Sequence, residues 1–193
     1  MKSLYSFIIK PLNERYENVK KVEDKELIIN SSIENHRFVS KKAVVVSTPA
    51  AYATKINVGD ELYVHHNIFR RWYDQRGKER NSSTYFKDDL YFAYPDQIYM
   101  YNNKSHLDYC FVAPIKNKSN LSTLKEKELF GILKYSNSSL EAAGLTPGAL
   151  VVFKPGSEFE FIIGDERLYC MKSNKIAITH EYEGHEEEYN PSW

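Results

Sequence analysis

Val58-Gly59-Asp60-Glu61-Leu62-Tyr63-Val64 and Pro147-Gly148-Ala149-Leu150-Val151-Val152-Phe153 decide how this chain is read. In each stretch a glycine opens a turn that needs backbone freedom, and a short apolar run follows at once, the pattern of a turn delivering a buried strand. The surroundings repeat as well. Ile9-Lys10-Pro11-Leu12 answers to Val112-Ala113-Pro114-Ile115. Leu90-Tyr91 with Asp96-Gln97-Ile98 answers to Leu168-Tyr169 with Asn174-Lys175-Ile176. The matched pieces keep the same order in both halves, so the chain reads as an internal duplication of one strand-rich unit.

Further short apolar runs, at Phe7 to Ile9, Ala43 to Val46, Phe130 to Leu133 and Phe159 to Ile163, fill in the strands of each half. Helical spacing is confined to Ser139 to Ala143, and the 15 Tyr suit pleated, half-buried surfaces. The expected class is all-β. The two copies differ in their loops. From Pro11 to Val44 is 33 positions against 18 from Pro114 to Ile132, so the first copy carries 15 extra residues there. Between Gly59 and Tyr91 it carries 11 more than its counterpart. Loop insertions cost little closure entropy, and long loops on a compact framework usually hold the function.

Bulk properties narrow the field. The 193 residues carry 26 basic and 26 acidic side chains, leaving no net field to hold nucleic acid or an anionic membrane, so a charged partner must meet a local patch. Two cysteines, Cys110 and Cys170, are too few for a disulfide scaffold; they read either as a single bridge or, the favoured reading, as two reduced, buried thiols. The apolar start, Leu4 to Ile9, is too short for a membrane span or a signal core and reads as a first strand, so the expectation is a cytoplasmic protein.

The hydrophobic-Gly-Asp turn at Val58-Gly59-Asp60, the strands that follow it, the Tyr91 to Tyr99 stretch and the opening Ile8-Ile9-Lys10-Pro11-Leu12 together resemble the GroES co-chaperonin family. The resemblance implies two tandem GroES-like small β-barrels, residues 1–104 and 105–180, followed by an acidic tail at 181–193. The first insertion, about 13–42, stands where that family keeps its mobile loop. Within it, Leu27-Ile28-Ile29 stands where the family keeps the apolar tripeptide that docks on the chaperonin. The chain departs from the pattern at Lys25-Glu26, where the family usually has two glycines. It departs again at Ser47 to Asn57, which looks too short for the family's roof hairpin. In the second copy the corresponding loop offers only Leu121 and Leu124 as apolar candidates.

On composition alone, residues 13–42 form a polar, charged segment around that apolar island, with outliers at Tyr16, Val19, Val22, Ile33, Phe38 and Val39. Such a segment is expected to be mobile when free. The triplet reads either as an ordinary buried strand or as a docking element; its place between the Pro11 and Val44 strands favours docking. A second candidate is the basic insertion at about 67–87, with Arg70, Arg71, Trp72, Tyr73, Arg76, Lys78 and Arg80. It reads as a client- or chamber-facing surface, a solvated loop, or a nucleic-acid contact, the last disfavoured by zero net charge.

His65-His66 and the His180…His185 pair with its glutamates invite a metal reading. Adjacent histidines on a strand point to opposite faces, and the C-terminal set reads as a solvated acidic tail. Nothing marks a catalytic nucleophile, a phosphate loop or a dinucleotide site, so the chain is expected to be no enzyme and to need no cofactor. The resemblance implies a ring-shaped homo-oligomer capping a GroEL-type chaperonin, which binds the ATP, over an unfolded client. The unusual layout and Lys- and Asn-rich usage suit a virus-encoded version. A structural or adaptor protein, as of a virion, is the competing reading, and a nucleic-acid-binding barrel the third.

Overall fold

The computed structural model describes residues 2–22, 25–33, 35–118, 124–180 and 184–191, and the chain divides into two compact units, Met1–Asn102 and Asn103–Trp193. The first unit contains β1 (Phe7–Pro11), β2 (Val19–Val22), β3 (Lys25–Ile28), β4 (Lys42–Ser47) and β5 (Glu61–Val64). It continues with β6 (Arg71–Tyr73), β7 (Glu79–Asn81), β8 (Tyr85–Lys87), β9 (Leu90–Ala93) and β10 (Ile98–Tyr101). After a two-residue strand, β11 (Lys104–Ser105), the second unit contains β12 (Tyr109–Lys116), β13 (Glu126–Tyr135) and the helix α1 (Ser138–Ala142). It ends with β14 (Leu150–Phe153), β15 (Phe159–Ile163), β16 (Glu166–Lys172) and β17 (Ile176–His180). The protein is mostly β, in two main antiparallel sheets.

The seven-stranded sheet runs β11-β10-β5-β4-β1-β9-β8, and from β10 to β8 it repeats the order of the six-stranded sheet, β17-β14-β13-β12-β16-β15. The register repeats too. Ile9 faces Val45 and Tyr91, and Val112 faces Leu133 and Tyr169. A register shift falls between Ile8 and Ile9 in one unit and between Phe111 and Val112 in the other. Even the turn bonds recur. Gly59 N–H donates to Val45 C=O at 2.9 Å, and Gly148 N–H to Leu133 C=O at 2.7 Å. His65 N–H reaches Gln97 C=O and Lys154 N–H reaches Lys175 C=O, both at 2.9 Å. The residue equivalences read from the sequence are those of the register.

Alternation fixes what each sheet buries. In β4 the pattern puts Ala43, Val45 and Ser47 inward and leaves Lys42, Val44 and Val46 partly exposed. The first core gathers Phe7, Ile9, Val45, Leu62, Val64, Ile68, Phe69, Tyr91 and Ile98. The second gathers Cys110, Val112, Leu133, Leu140, Val151, Phe153, Tyr169 and Met171. Cys110 and Cys170 are both free and buried, and burial pushes the Cys110 thiol up to about 12.

Two expectations are corrected here. Neither sheet closes into a barrel among the described residues: β8 in the first unit and β15 and β17 in the second remain edge strands. The C-terminal segment is also not merely a solvated tail. Lys116 N–H donates to Glu187 C=O at 2.7 Å, and Tyr189 N–H to Pro114 C=O at 2.8 Å, so residues 187–189 lie along β12 as an added strand. Lysines facing it explain why: Lys116–Glu187 at 3.1 Å, Lys118–Glu186 at 3.8 Å and Lys134–Glu188 at 2.7 Å satisfy the acidic run locally. Glu181 and Glu183, which the metal reading also used, lie outside the described residues.

Gly59 and Gly148 both sit at strongly positive φ, +92° and +96°, with open space where a side chain would go. The turn therefore demands glycine for backbone reasons rather than for room. Gly59→Ala and Gly148→Ala should each destabilise the chain by about 1–2 kcal/mol in urea unfolding, with matched effects in the two units.

Candidate functional site

Among the described residues of 13–41, no strand joins the main sheet. β2 and β3 pair only with each other, Val19 opposite Ile28 and Val22 opposite Lys25, and form a free-standing two-stranded hairpin. The apolar triplet occupies the outgoing arm. Leu27 is 51% exposed, Ile28 78% and Ile29 46%. The buried-strand reading fails on those values, because a core strand would hide alternate residues. Ile28 has the 47%-exposed Val19 directly across from it, and opposed residues on an antiparallel pair share one face. Val19 thus extends the apolar surface. The sequence offered it only as an outlier, since its partner across the hairpin is invisible without the register.

The base of the excursion is anchored, which the composition did not lead one to expect. Tyr16 and Val39, two of the outliers, are 6% and 2% exposed and belong to the first core. They form an isolated antiparallel bridge, flanked by Glu17 N–H to Phe38 C=O at 2.8 Å and Ser40 N–H to Arg15 C=O at 3.0 Å. Higher up, Ile29 N–H donates to Asn18 C=O at 2.8 Å, and the Asn30 amide reaches the Asn18 side chain at 2.9 Å. A two-stranded hairpin is marginal by itself; these contacts hold its root while its apolar arm stays in solvent.

The root is also where the two insertions meet. Arg15 sends Nε to Phe69 C=O at 2.6 Å and a terminal nitrogen to the Asn81 side chain at 2.7 Å. Its guanidinium lies 5.2 Å from the centre of the Tyr91 ring. Tyr16 hydroxyl donates to Ile33 C=O and accepts from Arg71 N–H, both at 2.7 Å, while the Arg71 guanidinium covers the Tyr16 ring at 4.8 Å. One pair of adjacent residues therefore fastens the apolar hairpin to the basic one.

The basic insertion is itself a hairpin, β6 against β7. Asp74 organises its turn, accepting from Arg76 N–H and Lys78 N–H at 2.9 Å. Those backbone bonds, Lys78 first, hold the Asp74 carboxyl below its usual range. Of the cations singled out from the sequence, Arg71 pairs with Glu79 and Arg80 with Asp74, each at 2.9 Å. Trp72 and Tyr73 are exposed, as is Arg76. The charge available to a polyanion is thus smaller than the count of arginines suggested. In the second copy, Leu124 is exposed and Leu121 lies outside the described residues.

Three histidines gather beside the root: His65 stacks on His66 at 4.5 Å, and His36 lies 5.4 Å from His66. Among the described residues no group of three or more His, Cys, Asp or Glu side chains could hold a metal ion. Burial, with help from His65, His36, Lys41 and Arg70, pushes His66 down to about 4. The chain matches no family model and no curated protein.

Two outcomes follow from this geometry. Tyr16→Phe strands the Arg71 N–H and the Ile33 C=O and should cost about 1–3 kcal/mol in urea unfolding, whereas Leu27→Asp, already in solvent, should change stability by no more than about 0.5 kcal/mol. The unfolded chain protonates His66 near pH 6.5 and the folded chain only near pH 4. Between those values the unfolded state holds more protons, so stability falls as pH drops from 6.5 towards 4. His66→Gln should flatten that part of the melting-temperature profile.

Proposed function

We propose that the chain is a co-chaperonin of the GroES type, built from two tandem GroES-like units, that caps a GroEL-type chaperonin through Leu27, Ile28 and Ile29. What supports the reading is the hairpin: three consecutive large apolar side chains in solvent, on an arm that, among the described residues, belongs to neither main sheet and is fixed at its root. Burying one such side chain yields about 1.5–3 kcal/mol, and ordering the arm on a partner consumes part of that gain. A single arm therefore binds weakly. A ring of identical arms on a ring-shaped partner binds tightly by effective concentration and lets go when the partner's sites move apart.

Edge strands such as β8, β15 and β17 offer backbone groups through which subunits would join into that ring. On this proposal ATP is hydrolysed only by the chaperonin, in the cytoplasm of the cell where the two meet. The exposed Trp72, Tyr73 and Arg76, with Arg70 and Arg71 beside them, would face the chamber and tune it for a client. The adaptor reading uses the same edges without the chaperonin, and the nucleic-acid reading uses the arginines.

A pull-down on immobilised chaperonin, with and without ATP, separates them. The expected result is nucleotide-dependent capture that falls at least about tenfold in Leu27→Asp and Ile28→Asp, as the loss of one buried aliphatic anchor per arm requires. Capture indifferent to nucleotide, or undiminished in both variants, would contradict the proposal. Neutralising Arg70, Arg71 and Arg76 should leave capture intact and change client refolding; unchanged refolding would remove the chamber role.

A further inference from the structure

The added strand at residues 187–190 has no counterpart among the described residues of the first unit, and the repeat shows where one would go. In the second unit, residues 187–190 run along the far end of β12 and the start of β16. Glu188 bridges Ile115, Lys116 N–H and Pro114 C=O bond the added backbone, and the Asn190 amide bridges Arg167 N–H at 2.7 Å and Asp165 C=O at 3.0 Å. By the shared register, Pro114 to Lys116 correspond to Pro11 to Asn13, and Arg167 corresponds to Asp89. Between those very positions the first unit has an open groove of about 560 Å³, whose lining includes Pro11, Leu12, Asn13, Arg15, Arg71 and Asp89.

Among the described residues the first unit also lacks an interaction that its counterpart has. In the second unit Tyr169 hydroxyl donates to the Glu126 carboxylate at 2.5 Å, and Arg167 binds the same carboxylate at 2.8 Å with its guanidinium 5.0 Å from the Tyr169 ring. The first unit repeats the tyrosine and the arginine, as Tyr91 under Arg15, but not the carboxylate. Tyr91 hydroxyl and Arg71 Nε are both buried without a hydrogen-bond partner among the described residues. Asn13, the equivalent of the Lys116 donor, is exposed, and its N–H is free to take a strand partner among the described residues. Unpaired buried donors cost free energy that an acceptor recovers. The groove's lining carries Lys10 and Arg15 against Glu14 and Asp89, and Arg71, whose terminal nitrogen holds Glu79, turns its unpaired Nε towards it.

We propose that this groove docks an extended acidic segment of a partner protein, which adds to the outer edge of β1 at Pro11 to Asn13 as residues 187–190 add to β12, and presents a carboxylate to Arg71. The acidic segment 184–191 is held at the second unit by its lysines and so does not occupy the first groove, whose occupant on this proposal is another polypeptide. Strand addition of this kind takes affinity from backbone bonds and selectivity from the side chains that flank them.

The test titrates a fluorescein-labelled peptide of the sequence Gly-His-Glu-Glu-Glu-Tyr-Asn-Pro, residues 184–191, into the full chain and follows anisotropy. Saturable one-to-one binding is expected, weakened at least about tenfold by Arg71→Gln, by Asn13→Pro and by replacing the peptide's three glutamates with glutamines, as loss of a charge-assisted bond implies. Thermal melts of both variants check that they fold, and capture by the chaperonin through Leu27 to Ile29 should persist in Asn13→Pro, so either reading can fail alone. No saturation by 1 mM peptide would overturn the proposal. So would affinity unchanged in both variants, which would mean that the peptide merely replaces the tail at the second unit. A chain lacking residues 184–193 that sediments as a smaller particle than the intact chain would also overturn it, by giving the groove to a second copy.

Discussion

Arg15 and Tyr16 are the constraint on which the first unit's distinctive features depend. Between them they bond the backbone of Phe69, Arg71 and Ile33 and stack on or under Tyr91 and Arg71. Without that anchorage the 15-residue excess of the first insertion would be a closed loop of polar chain with no reason to present its apolar arm in any direction. With it, the root is part of the core and only the arm is left in water. Anchored root and free arm together lower the entropy lost when the arm meets a surface, which is the general advantage of preorganisation.

The duplicated framework makes that asymmetry interpretable. Six strands recur in the same order with the same register shift and the same glycine turn, so differences between the units are not differences of fold. In the second unit the equivalent tyrosine is satisfied internally by Glu126 and Arg167, and the flank of β12 is filled by the chain's own acidic segment. The first unit leaves both positions open and adds two hairpins. One copy satisfies these groups within itself; the other leaves them without partners among the described residues.

Much of this was legible in the sequence, for identifiable reasons. The runs Glu61–Val64, Leu150–Phe153 and Phe159–Ile163 are strands with those bounds, because short, mainly apolar runs with Gly, Pro, Asp or Ser within two residues of an end leave few alternatives. The alignment of Tyr91 with Tyr169 and of Pro11 with Pro114 holds to the residue. The β6–β7 hairpin was read only as a basic stretch, because Arg71-Trp72-Tyr73 and Glu79-Arg80-Asn81 carry no apolar alternation and are held by pairing and ion pairs instead. The root of the first insertion was missed for a related reason. Tyr16 and Val39 lie 23 positions apart in polar surroundings, and only their pairing across the loop makes them core. The docked acidic segment was hidden because its lysine partners are spread over β12, β13 and the residues just after β12, far away in sequence.

The central claim is that the solvent-exposed Leu27, Ile28 and Ile29 become buried against a chaperonin in its nucleotide-bound state. Amide hydrogen exchange of this chain, with and without ATP-loaded chaperonin, reads that burial directly. The account predicts that exchange at residues 27–29 slows strongly in the complex while the β1 and β4 amides keep their rates. Unchanged exchange at 27–29, or protection appearing instead along residues 70–80, would contradict it.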